Sequence, residues 1–147
     1  MKLVTYDDFT PGLLQDGEVF DLTEALRGRG ALAWEEVMPA IIADFDRVRD
    51  YIRDLTRSGL GRPLDQVRLR APIPRPGKLA CSVMNFPAEV GREPEAMDFF
   101  FKSPEAVIGM GDAVVLPEVV ASMFPCEAEL AVVIGKAARN VAAADAL

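Results

Sequence analysis

Ala71-Pro72-Ile73-Pro74-Arg75-Pro76-Gly77 divides this chain into two unlike parts. Its prolines, at alternate positions, fix φ, remove backbone donors and bias each preceding residue toward extended geometry. The stretch therefore reads as an extended, hydrogen-bond-poor connector. A PxxP ligand has a similar composition, but the sequence pattern changes across these residues, which favours a linker. Before it, strand-like and helix-like patterns alternate. After it come short apolar runs punctuated by Gly and Pro, with little helix.

Working back from the linker, residues 1–70 read as a small α/β domain. Val67-Arg68-Leu69-Arg70 alternates like a strand. Leu3-Val4-Thr5-Tyr6 suits a strand, and Gly17-Glu18-Val19-Phe20 suits another after the Gln15-Asp16-Gly17 turn. Asp21 or Thr23 can cap a short helix over Glu24 to Arg27, which Gly28 and Gly30 end. A longer helix is predicted from about Ala40 to Arg57, with Ile41, Phe45, Val48, Ile52 and Leu55 on one face. Asp44/Arg47, Asp46/Arg49, Asp50/Arg53 and Asp54/Arg57 fall at i,i+3 on its other side. That charge-rich side reads better as a solvated face than as a partner surface.

Forward from the linker, residues 78–147 read as β-rich. Leu79-Ala80-Cys81-Ser82-Val83-Met84 is a continuous apolar run, as in a strand buried on both faces. Phe99 to Lys102, Ala113 to Leu116 and Glu127 to Ile134 are further strand candidates. Gly109-Met110-Gly111 lacks the frame of a phosphate loop and reads as a turn. Asn140 to Leu147 looks like the beginning of a capped helix, so the chain reads as ending within an element.

Composition narrows the chemistry. The 147 residues are 50% hydrophobic and 27% charged, as in a globular protein. With 16 basic against 23 acidic residues, net charge −7, nonspecific nucleic-acid binding is not expected. A local basic patch remains around Arg62, Arg68, Arg70 and Arg75. Two cysteines, Cys81 and Cys126, indicate no disulfide framework and favour a reducing cytoplasm. Neither a signal peptide nor a membrane-spanning run is apparent. The chain has no histidine, so no Ser-His-Asp triad and no His-ligated zinc can be built from it alone.

In Cys126-Glu127-Ala128-Glu129-Leu130-Ala131-Val132-Val133-Ile134, strand alternation would place Glu127 and Glu129 on one face. Ala128, Leu130, Val132 and Ile134 would then enter a core, with Cys126 as a small core residue. Two carboxylates beside an apolar surface repel one another and resist desolvation. A hard divalent cation relieves both costs. From spacing alone, an ordinary exposed strand face is the better reading of the pair.

The ordered series around it is more specific. Pro74-Arg75-Pro76-Gly77 precedes Lys78 to Phe86. Then follow Phe101-Lys102-Ser103-Pro104, Val107-Ile108-Gly109-Met110-Gly111-Asp112, Val115-Leu116-Pro117 and Glu127 to Lys136. In this order and spacing the chain resembles the fumarylacetoacetate hydrolase family, most strongly from Arg75 to Leu147. Met1 to Val4 and Val19 to Thr23 are similar to the variable N-terminal domain of many members.

The resemblance implies an α+β chain: a small α/β N-terminal domain, then an incomplete mixed β-roll of the fumarylacetoacetate hydrolase type. It implies a metal-dependent enzyme that hydrolyses C–C bonds in a 2-oxo or diketo acid and commonly forms a homodimer. Related decarboxylase, isomerase or lyase chemistry, a non-catalytic fragment and a metal-dependent binding protein remain alternatives. Glu127 and Glu129 become ligands for Mg2+, or for Mn2+ or Ca2+, with an aspartate ligand expected beyond Leu147. Catalysis by these residues alone is therefore not expected. Hydrolytic members carry a water-activating histidine shortly after an Asn-Tyr pair. Here Asn85 matches, Phe86 replaces the tyrosine, and Glu89 falls near the histidine position as a candidate base or a surface residue. Lys102 is a candidate for a substrate carboxylate, or else a surface lysine.

Overall fold

Leu13 and Leu14 are chain neighbours that serve two different hydrophobic clusters, one on each face of a sheet. The computed structural model describes residues 1–83, 98–121 and 123–146. The sheet contains β1 (Lys2–Tyr6), β2 (Thr10–Gln15), β3 (Glu18–Asp21), β4 (Arg62–Pro63) and β5 (Leu69–Arg70), in the order β4-β3-β2-β1-β5. Every pairing is antiparallel. Leu3 lies opposite Leu13, and Leu13 opposite Phe20, so alternation carries this row to one face.

Helices α1 (Trp34–Ala43) and α2 (Phe45–Leu55) cover that face. Ile41, Val48 and Ile52 join Leu13, Phe20, Leu22 and Ala25 in its core, with Phe45 and Leu55 packed against them. Val4, Tyr6 and Val19 form the opposite cluster, closed by Leu14, Leu64, Val67 and Leu69. Strand β2 was not among the predicted strands, because Pro11 and Gly12 at its start argue against one. Here the Pro11 carbonyl accepts the Leu22 N–H at 2.9 Å, and Gly12 lets the Tyr6 ring approach its backbone. Asp16 (φ 51°) and Gly17 (φ 83°) make the two-residue turn into β3.

The predicted long helix is two helices. Its first part starts at Trp34 and continues through Pro39, the sixth of its ten residues, which has no N–H to give to one helical hydrogen bond. Glu36 accepts the Ala33 N–H at 2.9 Å, capping the start. The chain breaks at Asp44 (φ −117°, ψ 26°), whose carboxylate binds Arg29 at 2.8 Å and also pairs with Arg47. The four i,i+3 pairs are all present on the exposed side. A 3-10 turn over Thr23–Leu26 replaces the short helix, and the Asp21 carboxylate accepts the Thr23 N–H at 2.7 Å.

Residues 71–77 contain no helix or strand. The Thr5 hydroxyl donates to the Pro72 carbonyl at 2.9 Å, tying this stretch to β1. Beyond it, β6 (Leu79–Val83) pairs antiparallel with β7 (Asp98–Lys102). Only Cys81 of β6 is buried, which corrects the reading of a strand covered on both faces. The reason is local: among the described residues β6 has one neighbouring strand.

The predicted strands at 113–116 and 127–134 are not formed, and all of those residues are exposed. Without a neighbouring strand to complete hydrogen-bonded ladders, apolar alternation alone gives no strand. Gly109 to Asp112 does form the predicted turn, with Gly111 at φ 78°. A 3-10 turn over Ala143–Asp145 stands where a helix was expected to begin.

Candidate metal centre

The two glutamates present hard oxygen donors two residues apart in sequence. Both Glu127 and Glu129 are exposed, in a segment without regular secondary structure. The predicted inward set of Ala128, Leu130, Val132 and Ile134 is exposed with them, so the segment does not separate a polar face from a buried one. Cys126 is also exposed, correcting its reading as a core residue, whereas Cys81 is buried. The cause is again the absence of a packed layer against this segment among the described residues.

The donor chemistry fits a hard divalent cation, since carboxylate oxygens suit Mg2+, Mn2+ and Ca2+. Among the described residues no group of three or more His, Cys, Asp or Glu is gathered to hold a metal. Glu127 and Glu129 thus supply a pair rather than a complete ligand set. Glu89 lies outside the described residues. Lys102 ends β7, opposite Leu79, and is exposed. Its ammonium lies 5.5 Å from the Phe100 ring centroid. Among the described residues it makes no ion pair.

The predicted basic patch is largely consumed by pairing. Arg62 binds Asp7 at 2.8 Å, Arg68 binds Asp112 at 2.6 Å and Arg75 binds Glu105 at 2.6 Å. Asp7 also accepts the Arg68 N–H at 2.9 Å, and that bond with the Arg62 bond holds its carboxyl below the ordinary range. The Gly109 N–H, at 2.8 Å, and then Arg68 do the same for Asp112. Sequence reading found the Gly109–Gly111 turn but not the role of Asp112, because its partner Arg68 lies across the linker.

Residues 77–147 match the family described as fumarylacetoacetate (FAA) hydrolase C-terminal. This second part of the chain belongs to the fumarylacetoacetate hydrolase family. Oxaloacetate tautomerase YisK of Bacillus subtilis is 43% identical over 90 residues, covering 56% of this chain and 30% of the relative. A maleylpyruvate hydrolase of Aquipseudomonas alcaligenes is 28% identical over 160 residues, covering 96% of this chain and 55% of the relative. The chain therefore spans only part of the length of the relatives it matches.

The structure of maleylpyruvate hydrolase from Sphingobium sp. SYK-6, in complex with manganese(II) and pyruvate, aligns with a TM-score of 0.66 at 32% identity. The alignment covers 81% of this chain and 43% of that one. The mixed α/β arrangement with antiparallel sheets is thus similar to that of a fumarylacetoacetate hydrolase family structure.

Proposed function

We propose that this chain belongs to a divalent-metal-dependent enzyme that hydrolyses a C–C bond in a 2-oxo or diketo acid, with Glu127 and Glu129 as metal ligands. The observation that carries the reading is the Glu-Ala-Glu pair inside the stretch that matches the family. The manganese and pyruvate of the Sphingobium relative support a divalent metal and an oxo acid as ligands. When bound, such a cation would supply Lewis-acid stabilisation of enolate-like charge. Lys102, an exposed cation at the end of β7, would hold a substrate carboxylate. Glu89 is the proposed proton acceptor in place of a histidine. In this reading residues 1–70 form the N-terminal domain, 71–77 the linker and 78–147 the first part of the catalytic domain. The proposed setting is a cytoplasmic homodimer.

A second reading is supported by the absence of histidine. Tautomerising an oxo acid requires a proton to be moved between carbon and oxygen but no water to be activated for attack. The Bacillus relative is named for that reaction.

Mn2+ titration followed by electron paramagnetic resonance tests the ligand assignment. Saturable binding should weaken by about tenfold or more in Glu127→Gln and in Glu129→Gln, since even outer-shell changes can cost that much. Equal Mn2+ binding by both variants and the unmodified chain would sink the assignment. Turnover of an acylpyruvate, against enol–keto exchange of oxaloacetate, separates the two reactions.

A further inference from the structure

Phe9 closes the turn between β1 and β2 with φ 62°, a left-handed state that a bulky side chain rarely adopts. Its ring lies against Trp34, the chain's single tryptophan, with centroids 4.4 Å apart and planes inclined by 32°. Trp34 nevertheless remains 44% exposed. The two rings line a cleft of about 240 Å³, to which Pro74 and Pro104 add apolar surface. The cleft lies where the N-terminal sheet meets the stretch beyond the proline-rich segment. It includes none of Lys102, Glu127 and Glu129.

The charges around it do not all cancel. Arg75 is paired with Glu105, and Asp112 with Arg68. Arg70 is different. Its Nε donates to the Asp7 carbonyl at 2.8 Å, and its guanidinium carbon lies 5.3 Å from the Phe9 ring centroid. Among the described residues its two Nη groups make no hydrogen bond. The lining therefore offers one held but unfilled cationic fork beside an open indole.

That combination selects a ligand. A guanidinium fork recognises a carboxylate through parallel charge-assisted hydrogen bonds. An aromatic wall favours a flat, unsaturated body. The anchored Nε reduces the side-chain freedom lost on binding. The volume lies below the roughly 300–1,000 Å³ of drug-sized pockets, so the occupant is small. With Arg75 already paired to Glu105, Arg70 is the one lining cation without a carboxylate partner among the described residues, which matches a single negative charge on the occupant. We propose that this cleft binds a small planar monocarboxylate, with its carboxylate on Arg70 and its flat face against Trp34.

Because Trp34 is the sole tryptophan, its emission reports on the cleft directly. Benzoate titrated into the whole chain should give a saturable change in Trp34 fluorescence. Benzamide has nearly the same shape without the charge, and should bind about tenfold more weakly or worse. Arg70→Gln should lose benzoate affinity by a similar factor, and chelation of divalent metal should leave it unchanged. No saturable change with benzoate, or equal binding of benzamide, would overturn the proposal. A requirement for Mg2+ would also overturn it and would move the site to the glutamate pair. Should Arg70→Gln fail to fold by circular dichroism, the benzoate–benzamide comparison on the unmodified chain decides alone.

Discussion

Arg68 and Asp112 pair at 2.6 Å across 44 residues of sequence, joining the edge of the N-terminal sheet to a turn beyond the proline-rich stretch. The same carboxylate accepts the Gly109 N–H at 2.8 Å, so one side chain both closes the turn and docks it. A Cβ at Gly109 would stand 3.1 Å from the Arg70 Cα, which shows how closely the turn approaches β5. Asp112→Ala should release this contact. The expected result is faster hydrogen exchange at the Gly109 amide with little change at Leu13 or Ile52. Unchanged exchange at Gly109 would show that Asp112 does not hold the turn.

Three carboxylates are held below the ordinary range and contribute to the pH dependence of stability in acid. Asp7 and Asp112 are lowered as described above; Arg47 and then Arg29 lower Asp44. A lowered folded pKa contributes stability that is present above the unfolded value, about 3.9, and is lost as pH falls through the folded value. Melting temperature should therefore decline below about pH 4, and the decline should shrink in high salt because these side chains are partly exposed. Burial, then Asp21, raises Tyr6, so its contribution is present below about pH 10 and lost as pH rises through the higher folded value. With no histidine, no inflection is expected between about pH 5 and 7. An inflection there would contradict these assignments.

Gly12 is a tight point of the N-terminal core. A Cβ built on it would lie 2.9 Å from the Tyr6 ring and 2.9 Å from Val19 Cγ1, both within a packed cluster. Gly12→Ala should destabilise by about 1–3 kcal/mol, the usual cost of overpacking. Gly30→Ala is the control, since nothing lies within 4 Å of its added Cβ. It should change stability by no more than about 0.5 kcal/mol. Urea midpoints measure both, and equal midpoints for the two variants would refute the packing argument.

The sequence announces local features better than long-range ones. Ile41, Val48 and Ile52 were legible because a helical face repeats within one segment, and the Asp–Arg pairs follow from the same spacing. The break at Asp44 was not legible, because Arg29 arrives from outside that segment. Strand β2 was hidden by Pro11 and Gly12, whose fitness depends on Leu22 and Tyr6. At the candidate site, the chemistry of Glu127 and Glu129 is visible in the residues themselves. Their joint geometry is not, because a strand face exists only once other strands pair with it. The Phe9, Trp34 and Arg70 cleft escaped for a related reason: its members come from a turn, a helix start and a strand.

The apolar residues of the second half give the last prediction. Phe101 is 74% exposed, Val115 88% and Leu130 88%, whereas Leu13 and Ile52 are fully buried. The β6–β7 ribbon also has only one strand pairing among the described residues, leaving each strand an unpaired edge. Exposed apolar surface beside an unpaired edge favours association between copies. Sedimentation velocity of the chain at about 100 µM should therefore show self-association that increases with concentration. Phe101→Ser combined with Leu130→Ser should shift the distribution toward monomer. The urea midpoint of the N-terminal core should not fall, because neither residue contributes to it. A monomeric unmodified chain at that concentration would show that this surface is covered in solution. A double variant that unfolded with a lower midpoint would instead place Phe101 or Leu130 in the stabilising core.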